Sequence, residues 1–193
     1  MTKEKHQKIN PLEIDYTSLV PQNDGEYDHI KDIIFPDYSF LGSGNKVFRT
    51  TEMFASKSVL YVYPATGKPG IDPSPHWDSI PGAPGCTVQS LGFKEFYHEF
   101  LEFNYSVYGL SAQSIEDQRE FKERNQIPFS LISDSGFFLE KKISLPTFSV
   151  ENKKFYKRAV LIIEKCQVIK VFYPVYPPQS SAQNVLSWLK LKE

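Results

Sequence analysis

Hydrophobic and polar residues follow two different periods along this chain, and each period predicts one kind of element. The run SVLYVYP at 58–64 is unbroken, apolar and rich in β-forming residues, which is typical of a buried central strand. The runs SVYGLS at 106–111 and FSLIS at 129–133 predict two more strands of this type. Between the first two strands, apolar side chains recur at the spacing of one helix face, at Phe93, Phe96, Tyr97, Phe100 and Leu101.

Turn and cap residues divide the rest of the chain. The segment 36–49 has two alternating runs around Gly-Ser-Gly-Asn, which predicts a β-hairpin near the N-terminus. Ser114, with Asp117 three residues later, predicts the start of a helix. The runs RAVLIIE and VIKVFYP predict a second hairpin, and the segment 180–192 predicts a closing amphipathic helix.

The order of these elements predicts the fold class. From residue 58 onward it is β-α-β-α-β-(α)-β-β-α, in which the alternating strands and helices imply parallel pairing and the hairpin adds antiparallel strands. This order is that of an α/β, thioredoxin-like fold with an N-terminal β-hairpin extension. We expect one domain over 1–193, with a polar tail or arm over about 1–25.

Composition and charge narrow the classes of partner. Lys and Arg number 22 against 23 Asp and Glu, so no basic surplus favours nucleic acid. The N-terminus lacks the apolar core of a secretory signal, and the longest apolar runs have strand length, so no membrane association is expected. The chain has two cysteines, far apart, which predict neither a disulfide framework nor a metal site. We expect a reduced, cytoplasmic protein without a cofactor.

One of the two cysteines occupies a position that favours reactivity. Cys86 lies between a Pro/Gly-rich loop and the predicted helix, in IPGAPGCTVQS. That loop follows the first buried strand, at the sheet edge where open α/β folds place their sites. Free N–H groups and the helix dipole stabilise an anion at a helix start, and the thiolate is the reactive form of cysteine. An inert, buried cysteine stays an equal alternative on position alone.

The residues around Cys86 and downstream of it resemble a known family. VYP, followed after a loop by PGCTVQS, looks like the attacking-cysteine motif of the peroxiredoxins, especially their bacterioferritin-comigratory or Q-type branch. The likeness continues through VYGLSAQSIEDQREFKERNQIPFSLISD and YKRAVLIIEKCQVIKVFYPVYPP, and it covers most of residues 30–190.

The resemblance implies an antioxidant oxidoreductase that reduces hydrogen peroxide or organic hydroperoxides. The Cys86 thiolate attacks the peroxide, becomes a sulfenic acid, and is restored by a thiol reductant. Arg158 matches the arginine that holds the thiolate and the peroxide in this family, and Gln89 matches a Gln or Glu of the same helix. From the residues alone, a surface charge on an edge strand is the favoured interpretation of Arg158.

The motif departs from the family pattern before the cysteine. The position of the family's threonine is Ala83, and that of its proline is Ser79. A long insertion after YPATG explains this if Pro64, with or without Thr66, stays at the strand end. The insertion then either returns the Thr66 hydroxyl to the pocket or leaves that hydroxyl missing. Within the insertion, His76 and Trp77 line the pocket or, as we prefer for Trp77, anchor the loop.

The second departure concerns the thiol that resolves the sulfenic acid. Many Q-type members have this cysteine five residues after the first, where this chain has Leu91. Cys166 is predicted at a hairpin turn, out of disulfide range of Cys86. We therefore expect one-Cys behaviour, with thioredoxin, glutaredoxin or a small thiol as reductant, and a monomer or homodimer. The alternatives are a thiol redox sensor or oxidoreductase, and a catalytically weakened, non-enzymatic relative.

Overall fold

The structure is a computed structural model that describes residues 20–68 and 77–192. Its strands are β1 (Ser39–Gly42), β2 (Val47–Arg49), β3 (Lys57–Val62), β4 (Tyr105–Ser111), β5 (Ser130–Ser133), β6 (Thr147–Val150), β7 (Lys153–Tyr156), β8 (Ala159–Glu164) and β9 (Gln167–Phe172). Its α-helices are α1 (Thr50–Met53), α2 (Cys86–Glu95), α3 (Tyr97–Glu102), α4 (Ile115–Asn125), α5 (Phe138–Ile143) and α6 (Ser181–Lys192).

Seven strands form one mixed sheet in the order β2-β1-β5-β4-β3-β8-β9. Strand β3 pairs in parallel with β4, which pairs in parallel with β5, while β8 runs antiparallel to β3. The N-terminal hairpin joins the same sheet, because Leu41 pairs antiparallel with Ser133. The prediction of a thioredoxin-like α/β fold with an added hairpin is confirmed.

Strand β3 is apolar from Val59 to Val62 because both faces of the sheet are covered there. Tyr61 belongs to the core cluster that contains Phe93 of α2 and Leu186 of α6. Its neighbour Leu60 belongs to the opposite cluster, with Leu139 of α5. Alternate side chains of a strand point to opposite faces, so a strand between two helix layers needs no polar positions.

Two elements differ from the sequence predictions. The helix predicted after Cys86 is interrupted at Phe96, where α2 ends and α3 begins. Phe93 and Phe100 remain buried, but Leu101 is 43% exposed and does not belong to the core face. A separate two-stranded sheet of β6 and β7 was not predicted, because its strands are short and only partly buried.

The N-terminal arm is described in part. Residues 1–19 of the predicted tail lie outside the described residues, whereas 20–25 run along the protein surface beside Lys157. The prediction of one domain over 1–193 stays a prediction. Among the helices in the described ranges, none has the length and apolar character needed to cross a bilayer.

Candidate active site

The backbone places Cys86 as the first residue of α2. Gly85, the residue before it, has φ +94°, in the left-handed region that favours glycine. A Cβ atom built on Gly85 would also lie only 2.5 Å from Cγ of Pro178. Glycine is therefore needed at this position both for the turn into the helix and for the close approach of the 178 segment.

Cys86 lies in the first turn of α2, before the helix makes its first backbone hydrogen bond. The first backbone bond of α2 runs from the N–H of Gln89 to the carbonyl of Gly85, at 3.0 Å. The N–H groups of Cys86, Thr87 and Val88 precede that bond, and together they carry the partial positive charge of the helix end. Cys86 is only 3% exposed, and its sulfur lies 3.5 Å from the carbonyl oxygen of Ala83.

Arg158 lies against the sulfur. Its Nη2 is 3.2 Å from Sγ of Cys86, and the residue is only 3% exposed. It directly precedes β8, so the prediction of a strand position is off by one residue, and the surface-charge interpretation is wrong.

The guanidinium is fixed by a set of neutral acceptors. Nε donates to the carbonyl of Gly82 at 3.2 Å, and Nη2 donates to those of Ala83 at 3.0 Å and Pro84 at 2.8 Å. Nη1 donates to Oε1 of Gln89, which is fully buried on α2. The contact proposed between Gln89 and Arg158 is thus present, whereas the three carbonyl acceptors were not predicted.

The charges of this arrangement favour an anion at the sulfur. Every oxygen that accepts from Arg158 is uncharged, so the cation is buried without a carboxylate among these partners. A buried charge is costly unless it is paired. A negative charge on the Cys86 sulfur, which contacts the guanidinium at a helix N-terminus, would offset this buried cation.

Two buried tyrosines belong to the same core cluster as Cys86: Tyr61 in β3, and Tyr63 just after the strand. Tyr61 donates to the hydroxyl of Ser90 at 3.1 Å, and Ser90 donates to the carbonyl of Cys86 at 3.0 Å. Burial raises the pKa of Tyr61 and Tyr63, and the nearby Cys86 charge raises both further. These phenols therefore remain protonated and neutral beside the thiol.

Thr66 makes its hydrogen bonds away from the sulfur. Its hydroxyl donates to Oε1 of Gln113 at 3.1 Å, and the Gln113 amide donates back to the carbonyl of Thr66 at 3.1 Å. Pro64 is buried at the strand end, as predicted. Ala83 is fully buried, and it contributes to the site through its carbonyl oxygen. Sequence reasoning missed Gln113, which holds the start of the insertion.

Comparison with known proteins agrees with this geometry. The family model of the AhpC/TSA family matches residues 79–172, a range that contains both Cys86 and Arg158. The matched range covers slightly less than half of the 193 residues.

Curated proteins that are similar to this chain carry peroxiredoxin names. It is 31% identical to peroxiredoxin bcp1 of Schizosaccharomyces pombe over 111 residues, 57% of this chain and 49% of that protein. It is 25% identical to the putative chloroplastic peroxiredoxin Q of Oryza sativa subsp. indica over 111 residues, 58% of this chain and 44% of the relative. The chain thus spans less than half the length of these two curated relatives.

Solved structures support the fold. The crystal structure of peroxidoxin BcpB from Mycobacterium tuberculosis superposes with a TM-score of 0.68 at 19% identity, covering 84% of this chain and 97% of that one. PrxQ from Xylella fastidiosa gives 0.66 at 20% identity, covering 83% and 97%. Both share the thioredoxin-like architecture with this protein.

The second cysteine of the chain lies at the other end of β8. Cys166 forms the turn between β8 and β9 with φ +63°, and it is half-buried. Its N–H donates to the carbonyl of Phe54, and its own carbonyl accepts from the N–H of Phe35, both at 2.7 Å. Cys86 and Cys166 are both free thiols. The structure therefore does not bring them together.

Of the two insertion residues considered for the pocket, Trp77 and His76, only Trp77 is among the described residues. Trp77 packs on the β6–β7 hairpin, with its ring centroid 4.9 Å from that of Phe155. This packing fits the preferred interpretation of Trp77 as a loop anchor. His76 lies outside the described residues.

Proposed function

We propose that this protein is a thiol peroxidase that reduces hydrogen peroxide or organic hydroperoxides through Cys86. The observation that carries the proposal is the 3.2 Å contact between Arg158 Nη2 and Cys86 Sγ at the first residue of a helix. A thiolate in this environment is both stabilised and nucleophilic. The match of residues 79–172 to the AhpC/TSA family model supports the same chemistry.

In the first step the Cys86 thiolate attacks the terminal oxygen of the peroxide, ROOH. A sulfur–oxygen bond forms and the O–O bond breaks, so that the sulfur is oxidised to the sulfenic acid and the peroxide is reduced to ROH. The leaving RO⁻ takes up one proton. Arg158 donors and the free N–H groups of the helix start are positioned to stabilise the negative charge that moves onto the oxygens.

In the second step an external thiol restores Cys86. The thiol attacks the sulfenic acid, releases water and leaves a mixed disulfide, which a second thiol resolves to free Cys86 and an external disulfide. We propose this one-Cys cycle because Leu91 occupies the position of the usual resolving cysteine, and Cys166 sits in the far β8–β9 turn. The proposed reductants are thioredoxin, glutaredoxin or a small thiol. A reducing, cytoplasm-like compartment and a monomer or homodimer complete the proposal.

Peroxide consumption with two matched cysteine variants tests this function. Wild type, Cys86→Ser and Cys166→Ser are mixed with hydrogen peroxide and, separately, cumene hydroperoxide in the presence of dithiothreitol, and peroxide loss is followed. We expect turnover by wild type and Cys166→Ser, and none above background by Cys86→Ser. Equal activity of Cys86→Ser and wild type contradicts the proposal.

A catalytically weakened relative is the second candidate. It is favoured by Ala83, which replaces a hydroxyl, and by the Thr66 hydroxyl, which is bonded to Gln113. The same assay separates the two candidates. A wild-type protein whose Cys86 reacts with peroxide no faster than free cysteine supports the weakened relative.

A further inference from the structure

The N-terminal arm lies beside the candidate active site. We define the arm as residues 20–27, which precede the hairpin and run along the outer surface. Two side-chain turns shape it: the N–H of Gly25 donates to Asn23, and the N–H of Glu26 donates to Asp24, each at 3.1 Å. The arm ends at Tyr27, which is buried.

The arm holds the residue next to Arg158. Nζ of Lys157 lies 2.7 Å from the carboxylate of Asp24 and 2.8 Å from that of Glu26. The Tyr27 hydroxyl donates to the backbone carbonyl of Lys157 at 2.8 Å. Tyr173, which follows β9 and donates to Asp24 at 3.0 Å, closes the group. We call Asp24, Glu26, Lys157 and Tyr173 the latch.

The arm also touches the loop that holds the guanidinium. A Cβ atom built on Gly82 would lie 3.5 Å from Cβ of Pro21, so the two backbones are close neighbours. The carbonyl of Gly82 accepts from Nε of Arg158. The arm therefore contacts both the chain that carries Arg158 and one of the acceptors that orient it.

A cavity of about 240 Å³ opens between these parts. Pro21, Gln22 and Asp24 form one wall, while Gly82 and Arg158 lie on the others. Arg158 is 3% exposed and lies on a wall of a cavity that the arm helps to enclose. The arm is thus placed to limit the water that competes for the donors of Arg158.

Both ends of the latch are charged near neutral pH. Although burial opposes ionisation, hydrogen bonds from Lys157, the Glu26 N–H and Tyr173 hold the pKa of Asp24 below its usual value. Burial likewise opposes the charge on Lys157, but its hydrogen bonds to Asp24 and Glu26 raise the pKa of its ammonium. The contact is a double ion pair under the conditions in which the protein works.

We propose that Lys157 is a positioning residue, which the arm fixes through the latch so that Arg158 is held against Cys86 for the peroxide step. The inference rests on the proposed function and adds a regulator of the same site. Lys157 itself touches neither sulfur nor peroxide; it acts by anchoring the backbone from which Arg158 extends.

The test compares Lys157→Met with Lys157→Arg in the full-length chain. The rate constant for oxidation of Cys86 by hydrogen peroxide is measured by stopped flow, with thermal unfolding followed by circular dichroism. We expect Lys157→Met to react roughly fivefold more slowly, the size of effect expected from losing an exposed ion pair, and Lys157→Arg to restore the wild-type rate. Lys190→Met, which removes a surface ion pair with Glu99 at 3.3 Å, serves as matched control and should react as wild type.

The salt dependence of the Cys86 oxidation rate gives a second measurement. A purely structural role of Lys157 would not produce such a dependence. Hydrogen peroxide is uncharged, so salt does not alter its encounter with the protein. Lys157 keeps 23% of its side-chain surface exposed, and its partners Asp24 and Glu26 keep 37% and 47%. About 1 M salt therefore weakens the latch, and we expect the wild-type rate to fall part of the way toward that of Lys157→Met while the variant rate stays constant.

The outcomes separate this inference from the proposed function. Equal rates for wild type and Lys157→Met, or a slow Lys157→Arg, overturn the latch and leave the peroxidase intact. A wild-type rate no higher than that of free cysteine overturns the peroxidase itself.

Discussion

The two cysteines lie near opposite ends of the same strand, and their surroundings differ in every respect that matters for reactivity. Cys86 begins a helix, contacts a buried arginine through its sulfur and is surrounded by neutral acceptors that fix that arginine. Cys166 forms a tight turn, where its backbone makes the strong contacts and its sulfur lies 3.9 Å from the carbonyl of Thr51. Reactivity is thus set by what the fold places around a thiol.

The length of β8 keeps the two thiols apart. The strand has 6 residues, and at about 3.3 Å per residue its ends are separated by roughly 20 Å. A disulfide requires Cα atoms within about 7 Å. Within one folded molecule, Cys166 is therefore out of reach of a sulfenic acid on Cys86.

Removing the cation next to each cysteine is expected to give the largest difference in the rate of Cys86 oxidation. Arg158→Ala should lower the rate of Cys86 oxidation by about 10² to 10³, the usual effect of losing a donor that stabilises developing charge. Lys165→Ala, which removes the exposed cation beside Cys166, should leave the rate unchanged. Stopped-flow oxidation by hydrogen peroxide measures both, and equal rates for Arg158→Ala and wild type contradict the account.

Part of the contrast between Cys86 and Cys166 could be predicted from local sequence patterns, and part only from the family resemblance. The unbroken apolar run of β3 and the Pro/Gly segment before Cys86 follow from local physics, and both were predicted in place. Arg158 has no local signal, because it lies next to Lys157 in a stretch that reads as surface; only the family resemblance assigned it to the site. The Gly82, Ala83 and Pro84 carbonyls depend on backbone geometry that residue identities do not encode.

The hydrogen-bond partner of the Thr66 hydroxyl could not be predicted from the sequence. The residue follows β3 closely, but the sequence does not determine which partner its hydroxyl takes. Gln113, far along the chain, takes that hydroxyl instead. Likewise, the break between α2 and α3 at Phe96 leaves Leu101 exposed despite its helical spacing.

Two buried glutamines allow the role of Gln89 to be separated from its contribution to stability. Gln89→Leu removes an acceptor of Arg158, and we expect about a tenfold slower oxidation together with a loss of about 1–3 kcal/mol in unfolding free energy. Gln118→Leu removes equally buried bonds to Ser111 and the carbonyl of Ile132, and should lose stability alone. Denaturant unfolding measures the loss of stability, and stopped-flow oxidation measures the rate at Cys86. If Gln118→Leu also oxidised more slowly, the rate loss in Gln89→Leu would not be specific to the contact with Arg158.

Ala83→Ser tests the vacant hydroxyl position. Ala83 is fully buried, so serine is preferred to the larger threonine, which would overpack the site. If the added hydroxyl bonds the peroxide oxygens, oxidation should accelerate by up to about tenfold, the equivalent of one hydrogen bond. Ala182→Ser, at another buried alanine, should not accelerate it. An unchanged Ala83→Ser rate in a folded protein would show that the site does not use this hydroxyl.

The smallest effect is expected at the other end of β8. Cys166→Ser should oxidise at the wild-type rate and should form no less sulfenic acid, because the proposed one-Cys cycle does not use this thiol. Non-reducing gel electrophoresis after peroxide treatment gives an independent readout. A disulfide that is lost in Cys166→Ser would contradict the one-Cys cycle.

The central claim is that the fold makes one of two free thiols reactive, and a competition within the same molecule tests it most directly. Reduced wild-type protein is treated with substoichiometric hydrogen peroxide in the presence of dimedone, and labelled peptides are quantified by mass spectrometry. We predict that the label is found almost entirely on Cys86. Equal labelling of Cys86 and Cys166, or preferential labelling of Cys166, would contradict the account.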